Sequence, residues 1–533
     1  MAGFYRRVDR DQLFLMPPSM ADWLPADHPV WFVIDVVTDL DTRAFHAHRV
    51  QGGPGAPAYD PDMLVTLLIY GAWHGVRSSR QIQARCATDV AFRIVCAGHA
   101  PDHATIARFR QQHAEVFTDL FTQVLLLCAR AGMGRFGRVA IDGTKIAANA
   151  ARDANVTLEQ VRRIAAAEVA EAVAVDAAEQ RDTHGEGGDP PAGLRDPSRR
   201  AARIAAVQAE LQAAVDQATR QAQQQAEQAR RHADAVAAGQ AAPGEADQLA
   251  HAQARLDAAI AGRQAAIEAW QAESQLPLTQ RTRLIRRPKP IDESAEIAHA
   301  RAAVQRASAR IAAAAAAAET AAAKATTDHQ HAQATAERTT RRNLTDPDSR
   351  LMPTRNGWTQ GYNAQLAVTD DHLILAVTAC QTPNDVEQAQ PMIAKAEQAT
   401  TTITAHTGRT DTTIGLLLLD AGYLSEANLT APGPDRLIAT GKRRTLEHTA
   451  RQPTPTNPPA TPIAAMTRRL ANPDTMRDYR RRGATVEPVN GHLKDITGLR
   501  RFLTRGLTNI TGELNLTAAT LNLRRLFTHT QPA

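Results

Sequence analysis

The sequence predicts a mixed α+β protein: a helical N-terminal domain, then an α/β domain whose chain is split by a long helical, coiled-coil-like insertion. Three observations predict it. Up to about Gly137, apolar residues recur at helical spacing. From about Ala151 to Arg342 the chain is low in complexity, rich in Ala, Gln, Arg and Glu. On either side of that stretch lie short apolar runs, Val139–Ile141 and Leu416–Leu419, each leading into an aspartate and typical of buried strands. At 533 residues the chain has room for several domains, each with its own core.

In the first part, Pro61 opens a stretch in which Met63, Leu64, Leu67, Leu68 and Tyr70 to Trp73 share helical spacing. Ser78 or Ser79 can cap a helix containing Ile82 and Cys86. After the Ala100-Pro101-Asp102 turn a helix begins over Thr105–Arg110, and Phe117–Ala129 makes a longer one. Such helices form either a helix-turn-helix-like DNA-binding domain or a plain bundle, and periodicity alone favours the bundle.

In the middle, Thr157 and Gln160 have capping-box spacing. One narrow apolar seam runs through Ile204, Val207, Leu211 and Val215, another through Leu249, Leu256, Ile260 and Ile267. Gly239 and Pro243-Gly244 separate them, which suits an antiparallel helical hairpin. Further breaks fall at Gly185–Pro197 and Pro288–Pro290. A partly ordered alanine-rich spacer is the other reading.

The last part begins with strands. Tyr362–Val368 and Leu373–Val377 alternate across Asp370-Asp371, a hairpin pattern, and a helix follows from about Asp385. Gly415–Asp420 and Leu437–Thr440 read as further strands, Arg451–Pro462 as a flexible loop, and helices close the chain. The expected divisions are a helical DNA-binding domain at 1–134, a first catalytic strand at 135–150, the insertion at 151–342 and the remaining catalytic domain at 343–530.

Composition narrows the function classes. The hydrophobic share of 43% is inflated by alanine, and aromatics are only 4%. A net charge of +5 and a pI near 9.2 suit a polyanionic partner. The excess gathers between Arg436 and Arg505, where Lys442, Arg443, Arg444, Arg451, Arg468, Arg469, Arg477 and Arg480–Arg482 meet few acids. Cys86, Cys96, Cys128 and Cys380 form no C-x-x-C pair, and the histidines lack zinc-ligand spacing, so neither a zinc site nor a disulfide framework is expected. The polar start at Met1–Asp11 is unlike a signal peptide, and no apolar run is long enough to span a bilayer. A soluble, cytoplasmic protein is expected.

Three acids stand out. Asp142 and Asp420 each end an apolar strand beside or near a glycine, the edge where open α/β sheets bind ligands. Either could equally be a turn former. Glu487 precedes Pro488, which fits best as the first residue of a helix and so puts Glu487 at that helix's mouth. Lys494 follows two turns on. Surface salt bridges are the plain reading of this cationic segment; a carboxylate holding a metal while its neighbours grip phosphates is the other. Asp346-Pro347-Asp348 reads as a turn, and Asp102-His103 as a helix cap.

Taken together, the motifs say more. Val139–Lys145 with Asn149, Asp420–Tyr423, and Tyr479…Arg482…Glu487-Pro488-Val489…Lys494 resemble the DDE transposases of bacterial insertion sequences, in the branch with an InsH-like N-terminal domain. Leu15–Pro18, Trp23–Pro25, Ser78–Arg80, Pro101–His103 and Phe109-Arg110 resemble that N-terminal domain. Asp346–Arg350, Gly361–Gln365, Arg501-Phe502 and Arg505–Leu507 resemble the catalytic half. Four residues separate Arg482 from Glu487 where the family usually has three, Asn490 stands where an aromatic is common, and Leu514 where a tryptophan is common. The resemblance implies an RNase H-like catalytic domain in which Asp142, Asp420 and Glu487 bind two Mg²⁺ or Mn²⁺ ions, with Asp142 bridging them. It implies phosphate contacts from Tyr479, Arg482 and Lys494, double-stranded DNA as partner, and a homodimer or larger assembly on paired element ends. The expected activity is DNA strand cleavage and strand transfer. An inactive or domesticated DNA-binding derivative is the alternative; a purely structural coiled-coil protein explains none of the acids.

Overall fold

The computed structural model describes residues 19–47, 58–167, 197–238, 243–277, 287–355, 357–441 and 461–531. The Met1–Asp11 start, the Leu15–Pro18 motif, most of the Gly185–Pro197 break, Gly239, most of the Arg451–Pro462 stretch, and Lys442, Arg443, Arg444 and Arg451 lie outside them. Met1–Asn155 and Arg342–Ala533 make one compact unit and Val156–Arg341 a second.

The first unit opens with helices α1 (Pro29–Asp39), α2 (Pro61–Trp73), α3 (Ser79–Thr88), α4 (Val90–Val95), α5 (His103–Gln112) and α6 (Val116–Arg130). Their starts follow capping chemistry. The Asp60 side chain accepts from Asp62 N ahead of Pro61, and Asp102 accepts from Ala104 N and Thr105 N, which makes it a cap as expected. Ser78 precedes α3 but makes no side-chain cap bond. Helix α2 is buried from Leu64 to Trp73, the mark of an interior helix. The four cysteines are free; Cys86 and Cys96, ten positions apart, have their thiols in contact within this core.

A mixed sheet follows. Strand β1 (Arg138–Ala147) is central, antiparallel to β3 (Gly357–Thr369) on one side and parallel to β5 (Leu416–Leu419) on the other. Beyond β5 lies parallel β6 (Arg436–Ile438); the far edge of β3 pairs antiparallel with β2 (Arg350–Thr354) and β4 (Ile374–Cys380). The β3–β4 pair is the expected hairpin. Helix α10 (Ala389–Thr407) packs against β3 and β4. Helices α11 (Pro462–Ala471), α12 (Pro473–Asp495) and α13 (Leu507–Thr530) close the unit; α12 lies over β1, β3 and β5, and α13 runs between β4 and the N-terminal helices α2 and α6.

Two expectations are corrected here. Pro488 does not start a helix: it lies inside α12, so Glu487 is on a helix face and not at a helix mouth. A proline mid-helix frees the carbonyl four residues earlier, and that carbonyl, Ala484 O, is taken by His372 Nε2 at 2.9 Å. Asp142 is likewise not at a strand tip. It sits mid-way along β1, at the level where β5 ends, because β3 carries β1 on for five more residues to Ala147.

One polar network ties α13 to both halves of this unit. Glu513, 2% exposed, accepts from Leu503 N, Thr504 N and Thr504 Oγ1, and pairs with Arg77. Arg77 also donates to the carbonyls of Gly498 (2.7 Å) and Arg501 (3.0 Å), and Arg110 donates to Arg77 O. Burial works to raise the Glu513 pKa, but Arg77, Arg110 and the Thr504 hydroxyl together pull it below the ordinary glutamate value. Nearby, Asp346 and Asp348 do more than form a turn. Asp346 Oδ1 accepts from the Tyr362 hydroxyl and Gly506 N, and Asp348 Oδ2 accepts from Leu507 N, so the pair receives the start of α13.

The second unit holds a helix at 158–167 and the long helices α7 (Pro197–Ala237), α8 (Pro243–Gln275) and α9 (Ala295–Thr339). Thr157 and Gln160 exchange the two bonds of a capping box. The first seam is buried at Ile204, Val207, Leu211 and Val215. Where the sequence suggests that α7 and α8 pair with each other, each packs chiefly on α9. Alanines 307, 318, 322 and 336 of α9 are buried, and side chains this small let helix backbones approach closely.

Removing the buried carboxylate strands two arginines, so Glu513→Ala is expected to destabilise the protein by about 3–5 kcal/mol, read as a fall in the urea or thermal midpoint. Because the folded-state pKa is depressed, this contribution is complete above the unfolded glutamate range near ~4.3 and is lost as pH falls. Glu513→Gln should therefore flatten the acid limb of the stability–pH curve; an unchanged acid limb would contradict the assigned network.

Candidate active site

The sheet brings the two aspartates together. Ile141 of β1 stands opposite Leu419 of β5, so Asp142, within β1, and Asp420, just past the end of β5, lie at one level. Ligands bind beyond the carboxyl ends of such strands because no further backbone fills the crevice. Helix α12 crosses here, its apolar stripe of Val486, Val489 and Leu493 buried, and Tyr479, Arg482, Glu487, Asn490 and Lys494 in adjoining positions.

Asp142 is the most confined of the acids. Arg482 Nη1 lies 3.4 Å from its Oδ1, and Asn490 Nδ2 donates to its Oδ2 at 3.0 Å. Burial pushes its pKa from 3.8 up to about 6; Arg482 opposes the shift, while Asp420 and Asp385 add to it. Asp420 Oδ1 accepts from Gly422 N at 2.8 Å. Glu487 is exposed. Arg482 stands among all three: burial disfavours its charge, but Asp142, Tyr479, Asp420 and Glu487 outweigh that and raise its pKa. Lys494 is half-buried, with its pKa lowered by burial and by Arg500 and supported by Asp142. Tyr479 is raised by burial, against the pull of Arg482.

A fourth acid belongs to this cluster, and the sequence reading had taken it only as a helix start. Asp385 Oδ1 accepts from Asn363 Nδ2 (2.7 Å), Gln365 Nε2 (2.7 Å) and Lys145 Nζ (3.2 Å). Tyr423 in turn donates its hydroxyl to Gln365 Oε1. Two glycines make the room. A Cβ on Gly143 would come within 2.6 Å of Asp385 Oδ1, and one on Gly422 within 2.9 Å of Asp420 Oδ1 and 3.3 Å of Asp385 Oδ2. The available signal was the amide-rich Asn363…Gln365 pair on one strand face, which needs an acceptor.

Among the described residues, one group has its ligand atoms all within 4.8 Å: His46, Asp60 and Asp62, in the helical half. Local bonds account for it, since Asp60 caps α2 and His46 Nε2 lies 2.9 Å from Asp62 Oδ1. Asp142, Asp420 and Glu487 are not drawn that close. The donor set at the sheet edge nevertheless suits a hard divalent cation: neighbouring carboxylate oxygens, one with its pKa raised by burial and by the acids beside it, and the buried Asn490 Oδ1, which has no hydrogen-bond partner.

Comparison with known families agrees with this picture. Residues 18–112 match the model described as "Transposase domain (DUF772)", and residues 443–527 match "Transposase DDE domain". The first spans α1 to α5; the second contains Glu487 and Lys494. No curated protein and no solved structure matches. These two matches, one at each end of the chain, support a DDE transposase of an insertion sequence; Asp142, Asp385 and Asp420 lie between the matched segments.

A carboxyl whose pKa is raised by folding stabilises the native state fully only below its unfolded value and loses that contribution as pH rises through the folded one. Asp142→Asn is thus expected to stabilise the metal-free protein at neutral pH by up to about 3 kcal/mol for a shift from 3.8 to about 6, read as a higher thermal midpoint. The gain should fade as the buffer is acidified below the folded-state pKa. A difference that stays flat with pH would show that Asp142 is not the strained carboxyl.

Proposed function

We propose that this transposase cuts DNA at the ends of a mobile element and joins the freed ends to a target, with Asp142, Asp420 and Glu487 as its catalytic carboxylates. The observation that carries the reading is the pairing of Asp142 and Asp420 at one level of neighbouring strands, beneath the helix that bears Glu487. The mixed sheet, with its central strand antiparallel to one neighbour and parallel to the other, supports an RNase H-like core.

The three carboxylates would hold Mg²⁺ or Mn²⁺, two ions in all, which when bound supply charge stabilisation and nucleophile activation at the scissile phosphate. The protein's own groups do the rest. Asn490 and Arg482 orient Asp142. Asp385 ties Lys145, Asn363 and Gln365 into a fixed floor behind the aspartates, so little reorganisation is needed as charge develops. Arg482, Tyr479 and Lys494 lie along one helix near the acids and hold backbone phosphates. For Arg482 this means exchanging Asp142 for a DNA phosphate, a geometry its planar fork suits. The N-terminal helices serve as the DNA-binding domain at 1–134, the helical stretch at 151–342 is an insertion in the catalytic domain, and double-stranded DNA is the partner, engaged by two or more protomers.

The test uses a supercoiled plasmid carrying the DNA that flanks the coding region on both sides. With Mg²⁺ the native protein should nick or cut at the element ends. Asp142→Asn, Asp420→Asn and Glu487→Gln should each lower the rate by roughly 10²-fold or more, the scale of losing one preorganised electrostatic stabiliser. Undiminished cleavage by any one of them would remove that residue from the active site.

A further inference from the structure

The side of α12 away from Asp142 borders a second cationic feature that the proposed chemistry does not use. A groove of about 600 Å³ lies between the N-terminal helices and α13, and Trp73, Asp371, His492, Arg524, Arg525 and His529 are among its walls. Arg524 donates to Trp73 O at 2.7 Å, and its guanidinium stands 5.1 Å from that indole. Arg525 reaches toward His492 Nδ1 at 3.5 Å and His372 Nδ1 at 3.4 Å. Neither arginine is ion-paired with a carboxylate among the described residues. Asp371, which also borders the groove, is already committed: Gly134 N, Arg135 N and the Thr369 hydroxyl donate to it. Burial lowers the pKa of both arginines; for Arg525 the nearby Asp371 carboxylate opposes the shift without cancelling it.

Such a surplus costs free energy unless an anion completes it. The groove's position indicates which anion. His492 follows Glu487 on the same helix by five residues, about 7.5 Å of rise, or roughly two phosphate steps along one DNA strand. Five residues also turn the helix by about 140°, so a backbone gripped here would pass around α12 to reach the carboxylates.

We propose that this groove is a DNA-backbone site, in which Arg525 and Arg524 bind phosphates of the duplex flanking the cut. The inference rests on the transposase reading and adds to it a contact outside the acidic cluster. It also links to the active site mechanically, since the His372 that Arg525 approaches holds the Ala484 carbonyl released by Pro488, one turn before Glu487.

The test measures binding of the full-length protein to a labelled random-sequence duplex in EDTA, across a range of KCl concentrations. Each phosphate contact contributes about 0.9 to the slope of log K against log salt. Arg525→Gln should lower that slope by about one and weaken binding about tenfold at low salt, while Arg525→Lys keeps most of the slope. His492→Glu, on an exposed position, should weaken binding in the same direction without disturbing the fold. Native slope and affinity in both Arg525→Gln and His492→Glu would overturn the site, as would displacement of the duplex by modest inorganic phosphate, which marks a small-anion pocket. Should Arg525→Gln fail to fold, His492→Glu alone decides. Failure of the native protein to bind duplex at all would instead sink the transposase reading beneath it.

Discussion

A buried carboxylate answered by two arginines holds this molecule together. Glu513 lies in the interior of α13, where desolvation alone would make its charge untenable. Arg77 comes from the N-terminal half, and its other donors reach the carbonyls of Gly498 and Arg501 just past α12. Arg110 closes the arrangement onto Arg77. One charge thus fixes the helical half, the end of α12 and the strap at 501–504 in mutual register. That register also sets the walls of the cationic groove, which draws residues from α2, α12 and α13.

The same frame explains why scattered family motifs occur where they do. Ser78–Arg80 and Phe109-Arg110 flank Arg77 and include Arg110; Arg501-Phe502 and Arg505–Leu507 bracket the backbone that Glu513 and Asp346 receive. Gly361 has no room for a side chain, since a Cβ would stand 2.3 Å from Ile146 O across the β1–β3 pairing. Tyr362, Asn363 and Gln365 then point in alternation to Asp346 and Asp385. Much of what reads as a functional signature is therefore structural support for a few acids, and it operates at one remove from the chemistry.

At the sheet edge burial of a carboxylate comes first, and crowding of like charge adds to it. Asp142, Asp385 and Asp420 share a small volume kept clear by Gly143 and Gly422. Cations from two elements, Lys145 and Arg482, make the arrangement tolerable. Buried like charges of this kind are relieved when a cation joins them.

The sequence by itself determined the local matters. Helix starts at Asp60 and Asp102, the β3–β4 hairpin, the apolar strands before Asp142 and Asp420, and the capping box at Thr157 all arise from bonds within a few residues, which spacing reveals. Tertiary structure decided the rest. Pro488 lies inside a helix whose buried face packs on the sheet, and His372, over a hundred residues away, takes the carbonyl it releases. Asp142 lies mid-strand because β3 carries β1 past the end of β5. Asp385 joins the acids because two amides and a lysine converge on it from β1 and β3. Alanine-rich α9 becomes the common partner of α7 and α8 because closeness of backbones, and not the width of an apolar seam, selects the contact. Each of these turns on which distant group satisfies a buried polar atom or fills a gap, and residue spacing along the chain carries no record of that.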